Sequence, residues 1–323
     1  MNARTLVLAA PFSDHEPEAS RPLVQAGIEV TRATDACAGE GELIEALAGY
    51  DASVASMEPY TRAVFEALPD LKVVSRWGVG VDNIDLQAAT DHGVVIANTP
   101  GMVTEAVADH TFCLMLALSR RLVEEMDVAR GLDWHRVEGA DLWRKTLGII
   151  GFGSIGRAVA RRARGFTMRV LAYDPAPRPE AAGALGVDLV GLDELLAEAD
   201  IVALHANVTD ESRGMIGEAQ LRAMKPSALF INAARGALVD QAALARALQE
   251  GWIAGAALDA LDPEPPAADD PILRAPNCII TPHNSSQTAE TSRRVNAQVC
   301  ESIINVLAGR RPRFVVNPAV LDG

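Results

Sequence analysis

Between Thr146 and His283, short apolar runs alternate with longer amphipathic runs rich in Ala and Leu. The apolar runs are Leu147–Ile150, Arg169–Tyr173, Ile201–Leu204, Ala228–Ile231, Ile253–Leu258 and Cys278–Thr281. Each is too short for a helix and is bounded by Gly, Asp, Pro or Asn, which predicts six buried strands. Helical periodicity fills the intervals at Ile155–Gly165, Leu192–Ala199, Glu218–Met224 and Asp240–Glu250. Continuously apolar strands joined by helical crossovers predict an α/β fold built on a doubly wound parallel sheet.

A weaker alternation precedes this region, with strand candidates at Leu6–Ala9, Ala52–Ala55, Lys72–Ser75 and Val94–Ala97. An apolar helix from about Val103 to Leu122 leads into the central sheet, and a last helix, Ala289–Leu307, ends at Gly309. The β-prone segment Phe314–Val316 is placed back against the first domain. The predicted division is 1–98 plus 290–323 as one domain and 99–289 as the other.

Hydrophobic residues at 49% and charged residues at 22% of 323 describe an ordinary globular chain. No apolar run approaches the roughly 18–20 residues of a membrane helix. The apolar stretch Leu6–Ala10 is too short for a signal peptide core and alternates like a strand. A net charge of −14 argues against nucleic acid as a partner, and obliges any anionic substrate to find a local cation. Cys37, Cys113, Cys278 and Cys300 show no metal-ligand spacing, so no metal is called; buried free thiols at Cys278 and Cys300 suit the cytoplasm.

The candidate chemistry begins at Gly151-Phe-Gly153-Ser-Ile-Gly156, straight after a predicted strand and opening a helix. Gly151 permits the tight turn, Gly153 leaves room for a pyrophosphate, and Gly156 lets helix and strand approach. The amides of Ser154 and Ile155 then sit at a helix N-terminus, facing phosphate. A lone glycine motif is weak evidence. Asp174, at the end of the next strand and 18 residues after Gly156, strengthens it. A carboxylate there suits the adenosine ribose hydroxyls and repels a 2′-phosphate, which favours NAD over NADP and a Rossmann-type sheet.

Three further strand ends carry Arg235, Asp259 with Glu264, and His283. The carboxyl ends of such strands point to one crevice, so these groups converge on the phosphate-loop side. His283 suits proton transfer at neutral pH, and the planar fork of Arg235 suits a carboxylate. Together they fit hydride transfer to a ketone, which needs a proton donor and a fixed cation.

The chain resembles the D-isomer-specific 2-hydroxyacid dehydrogenase family along essentially its whole length. The resemblance rests on six segments in family order: Ser75–Asp85, Asn98–Gly101, Lys145–Gly156, Asn232–Gly236, Leu258–Pro265 and Thr281–His283. It implies a smaller flavodoxin-like α/β substrate domain beside the NAD-binding one. It gives Arg235 the substrate carboxylate and carbonyl, and makes Glu264 and His283 the acid–base pair. It places Asp259 near the nicotinamide carboxamide and Arg235, sets Ala206, Ala233 and Ala234 against the cofactor, and gives the amides of Val79 and Gly80 to the substrate carboxylate. A homodimer paired through the dinucleotide domain is the implied assembly.

Departures from the family pattern bear on the substrate. Ser56-Met57 stands where phosphoglycerate dehydrogenases usually carry Arg-Ser, which counts against phosphoglycerate, although Arg76 could compensate. Asn284-Ser285-Ser286 makes the segment after His283 more polar than usual, and Ala206 replaces the usual turn after His205. His110 reads as an interface or core histidine, His205 as a packing residue, and His15, His92 and His135 as surface or turn residues. Trp77 fits substrate contact and core equally. An NAD-sensing interaction protein related to corepressors of the same fold is the alternative, disfavoured by the intact Arg235, Glu264 and His283.

Overall fold

The computed structural model describes residues 3–14, 18–33, 37 and 39–322; His15 lies outside them. The chain forms two compact units, one of residues 1–103 with 287–323 and the other of residues 104–286.

The first unit carries β1 (Arg4–Val7), β2 (Glu29–Arg32), β3 (Ala52–Ala55), β4 (Val73–Arg76) and β5 (Val95–Ala97). They form one parallel sheet in the order β2-β1-β3-β4-β5, the flavodoxin-like winding. β3 and β4 are buried at every position, whereas β2, the sequence Glu-Val-Thr-Arg, is partly exposed along its length. That edge position explains why no apolar run announced β2. Leu43, Leu47, Tyr60, Val64, Phe65, Val74 and Ile96 centre its core.

The β-prone tail does return to this unit, but not as a strand. Val316 donates a single backbone bond to Ile96 O (2.8 Å). Asn317 then does what a strand would have done: its Oδ1 accepts from Ile96 N, and its Nδ2 donates to Val94 O (2.9 Å) and Thr90 Oγ1 (3.1 Å).

The second unit carries β6 (Thr146–Ile150), β7 (Arg169–Tyr173), β8 (Asp188–Leu189), β9 (Ile201–Leu204), β10 (Leu229–Asn232), β11 (Gly255–Leu258) and β12 (Cys278–Ile280). All pairs are parallel, in the order β12-β11-β10-β9-β6-β7-β8. The direction of winding reverses between β6 and β9, the switch point of a Rossmann-type sheet. Two apolar cores cover its faces, one around Leu196, Phe230 and Leu248 and the other around Met115, Leu147 and Val159. The two-residue edge strand β8 had no signature in the sequence.

The helix predicted to reach Leu122 stops at Ser119. The carbonyl of Ser119 accepts from Ala140 N (2.7 Å) and its hydroxyl donates to Ala140 O (2.7 Å), so a distant segment takes the place of the next helical turn. Arg121 then adopts φ 52, which L-residues hold at a cost, and a second helix, Leu122–Arg130, begins. No helix among the described residues is long and apolar enough to cross a membrane. No disulfide links the four cysteines: Cys37 and Cys300 are buried, Cys113 is exposed, and Cys278 is only partly covered rather than buried as its apolar run suggested.

Candidate functional site

Strand register sets the site. Tyr173 pairs with Ile150, Ile150 with Leu204, Leu204 with Asn232, Asn232 with Leu258, and Leu258 with Ile280. The residues that follow are therefore brought to one edge in a row: Asp174, Gly151, His205, Ala233, Asp259 and Thr281. Ala206, Ala234, Arg235, Glu264 and His283 lie on the loops leaving that edge.

At the switch point, Gly151 has φ 92, and a Cβ there would meet His205 C, His205 O and Ala206 N at 2.6 Å. Gly156, inside the Ser154–Ala163 helix, faces Gly151 O so closely that a Cβ would lie 2.2 Å from it. Gly153 differs: a Cβ there would find nothing within 4 Å. The fold needs the first and last glycines, and the space beside the middle one fits the pyrophosphate of a dinucleotide. Asp174 closes this loop, with Oδ2 accepting from Phe152 N (2.7 Å) and Oδ1 from Ala176 N (2.9 Å).

On the other side of the row, Asn232 is buried and clamps the next loop. Its Oδ1 accepts from Ala234 N (3.0 Å), and its Nδ2 donates to Arg235 O (2.9 Å). The Arg235 guanidinium donates to Ala234 O (2.9 Å). Glu264 Oε1 accepts from Leu261 N (2.9 Å), leaving Oε2 2.8 Å from His283 Nδ1. Burial alone would raise the Glu264 pKa; the hydrogen bond and charge of His283, the Leu261 amide and the charge of Arg235 outweigh it and hold the group below its ordinary value. An ionised carboxylate only accepts, so Nδ1 of His283 carries the proton and Nε2 is the nitrogen left for chemistry.

Asp259 is 2% exposed and is fully occupied. Oδ1 accepts from Thr281 Oγ1 (2.6 Å) and Asn284 N (2.8 Å), and Oδ2 from Ser285 N (2.8 Å). Its carboxylate thus shapes the turn around His283, which has φ 53. Sequence reasoning did not find this clamp, nor that of Asn232, because their partners are mostly backbone groups of loops, which carry no residue signature. His205 has both ring nitrogens buried without a partner among the described residues, and burial pushes its pKa down to about 4.

In the first unit, the loop after β4 holds Val79 and Gly80. The carbonyls from Trp77 to Val79 are engaged: Trp77 O by the Arg76 guanidinium, Gly78 O by Thr99 N and Oγ1 (3.0 Å each), and Val79 O by Asn98 Nδ2 (2.8 Å). The Val79 and Gly80 amides have no partner among the described residues, an arrangement suited to an anion. Trp77 belongs to the core: it is 4% exposed and its Nε1 donates to Asn296 Oδ1 (2.7 Å).

Residues 112–285 match the family model described as D-isomer specific 2-hydroxyacid dehydrogenase, NAD binding domain. The chain belongs to that family. It is 45% identical over 286 residues to a glyoxylate reductase of Korarchaeum cryptofilum, covering 86% of each chain. It is 39% identical over 315 residues to a D-3-phosphoglycerate dehydrogenase of Archaeoglobus fulgidus, covering 97% of this chain and 59% of that one. Among solved structures, D-lactate dehydrogenase of Aquifex aeolicus, complexed with NAD and lactic acid, superposes with a TM-score of 0.85 at 29% identity, over 97% of this chain and 99% of that one. The chain is thus an NAD-binding oxidoreductase acting on a 2-hydroxy acid, as its sequence implied.

Proposed function

We propose that this chain reduces a small 2-oxo acid, glyoxylate to glycolate or hydroxypyruvate to the D-2-hydroxy acid, with His283 as the proton donor. The observation that carries the reading is the His283–Glu264 pair, 2.8 Å apart, on the loops leaving the row of strand ends that also holds the glycine turn. Bound NADH supplies the hydride that substrate C2 takes up. The proton for the C2 oxygen comes from Nε2 of His283, and ionised Glu264 stabilises the imidazolium before transfer and fixes the tautomer. Arg235 binds the substrate carboxylate and polarises the carbonyl, with its backbone held by Asn232. Gly151, Gly153, Gly156 and the amides of Ser154 and Ile155 hold the pyrophosphate, Asp174 the ribose, and Ala206, Ala233 and Ala234 line the remaining cofactor surface, while buried Asp259 acts on the nicotinamide end through the turn it holds. The Val79 and Gly80 amides of the first unit take the substrate carboxylate.

Residues 1–103 with 287–323 serve as the substrate domain, and 104–286 as the NAD-binding domain. Glyoxylate reductases among the relatives, and Ser56-Met57 in place of an Arg-Ser pair, favour glyoxylate or hydroxypyruvate over a phosphorylated substrate. A homodimer is supported by the apolar side chains exposed over 116–143, including Leu122, Val123, Met126, Leu132 and Trp134. Cysteines left as thiols suit a cytoplasmic location.

The test is NADH oxidation across a panel of 2-oxo acids, with His283→Ala alongside. Turnover with glyoxylate or hydroxypyruvate is expected, and the variant should lose about 10²–10⁴-fold in rate. Tight NADH binding without turnover on any member of the panel would favour the NAD sensor instead.

A further inference from the structure

His283 occupies a left-handed backbone conformation that costs a non-glycine residue of this kind stability, so something must hold it there. Its own amide makes only a tight bond to Thr281 O (3.0 Å). Holding falls to Asp259, which grips the turn on both sides of His283: Thr281 through its hydroxyl, Asn284 and Ser285 through their amides. Asp259 is 2% exposed, so its position is set by the donors that reach it and by whatever holds those donors in turn.

One of those donors, the Thr281 hydroxyl, is held from a residue outside the row of strand ends. His110, on the Thr104–Ser119 helix, places Nε2 at 3.4 Å from Thr281 Oγ1 and 3.6 Å from Asp259 Oδ1. The Thr281 hydroxyl spends its proton on Asp259 at 2.6 Å, so towards His110 it accepts and the histidine Nε2 donates. The order of contacts is His110 to Thr281, Thr281 to Asp259, and Asp259 to the amides that follow His283.

We propose that His110 is a positioning residue for the reaction: through Thr281 and Asp259 it fixes the 281–285 turn and thereby the aim of the His283 ring. The polar contacts of His110 run to Thr281 and Asp259, so its contribution is to geometry rather than to proton transfer. This rests on the role given to His283 above, and predicts that an N–H donor at position 110, rather than imidazole chemistry, is what the site requires.

The experiment compares His110→Ala, His110→Gln and Thr281→Val in the full chain. Two readouts are used: steady-state kinetics, and the downfield proton resonance of the His283 Nδ1–H···Glu264 bond in the cofactor-free protein, assigned by its loss in His283→Ala. His110→Ala should lower kcat about tenfold, with KM for the 2-oxo acid within about twofold, because displacement of a reacting group costs rate more than binding. The His283 resonance should broaden or vanish. His110→Gln, which keeps a donor of similar reach, should recover at least half of kcat and restore the resonance. Adding His110→Ala to Thr281→Val should cause no further loss, since the effect runs through the threonine.

The proposal is overturned if His110→Ala leaves both readouts unchanged, if the Gln variant is as impaired as the Ala variant, or if the losses at 110 and 281 add. Should the wild-type chain turn over no 2-oxo acid, the reading of the reaction fails by itself, while the resonance still decides whether His110 orders His283.

Discussion

Replacing Gly156 by alanine probes how tightly the phosphate loop and its helix are built together. The added methyl would lie 2.2 Å from Gly151 O, 3.3 Å from Gly151 C and 3.1 Å from Ile149 Cγ2. A carbon–oxygen contact settles a little above 3 Å, so roughly 1 Å of separation has to be found. The loop cannot supply it, because Gly151 is itself pressed against His205 and Ala206, where a Cβ would already be at 2.6 Å. The helix must therefore retreat, carrying the Ser154 and Ile155 amides with it. Overpacking of this kind costs about 1–3 kcal/mol of stability. A comparable loss of phosphate binding is about a 10–100-fold rise in Kd for NADH, at 1.4 kcal/mol per tenfold.

Gly153→Ala is the control. Its methyl meets nothing within 4 Å, so urea denaturation should show a change below about 1 kcal/mol, while fluorescence titration shows weakened NADH binding. The pairing separates a glycine demanded by the fold from one demanded by the ligand. The reasoning is refuted if Gly156→Ala matches wild type in both assays, or if Gly153→Ala binds NADH normally.

Further outcomes follow from the charged and titratable groups. Glu264→Gln should lower kcat by about 10–100-fold, because the amide cannot stabilise the imidazolium. Since the Glu264 carboxyl is held below its ordinary 4.5, its contribution to stability is present above that value and lost as pH falls through the folded one; the gap in Tm between wild type and Glu264→Gln should close on acidification towards pH 3. His205 runs by the same sign for a different reason: burial lowers its pKa to about 4, so the unfolded chain binds a proton between pH 6.5 and 4 that the folded chain refuses. Stability should fall as pH drops through that window, by at most about 1.4 kcal/mol per pH unit, and His205→Leu should flatten the slope measured by urea titration. Asp174→Ala should cost kcat/KM for NADH more than for NADPH, and should loosen the loop by leaving Phe152 N without its acceptor; equal losses with both cofactors would remove Asp174 from cofactor selection.

The order of elements in the second unit was legible in the chain because its strands are buried on both faces, so each had to be an uninterrupted apolar run between polar punctuation. The glycine turn, Asp174, Arg235, Glu264 and His283 were legible for a related reason: a parallel sheet delivers every strand end to one edge, so position after a strand already implies proximity. Edge strands escaped, since the polar, half-exposed Glu29–Arg32 carries no such run. The stop at Ser119 escaped as well, because a helix can be ended by a bond to Ala140, a residue that local periodicity does not register. Tertiary structure alone revealed that Asp259 spends its carboxylate on the turn around His283 and that His110, 171 residues before Thr281 in the chain, lies against this cluster. Residue type and spacing are enough to nominate groups that carry chemistry. The groups that aim them act through backbone amides and hydroxyls, which every loop possesses, and only packing decides which of these meet.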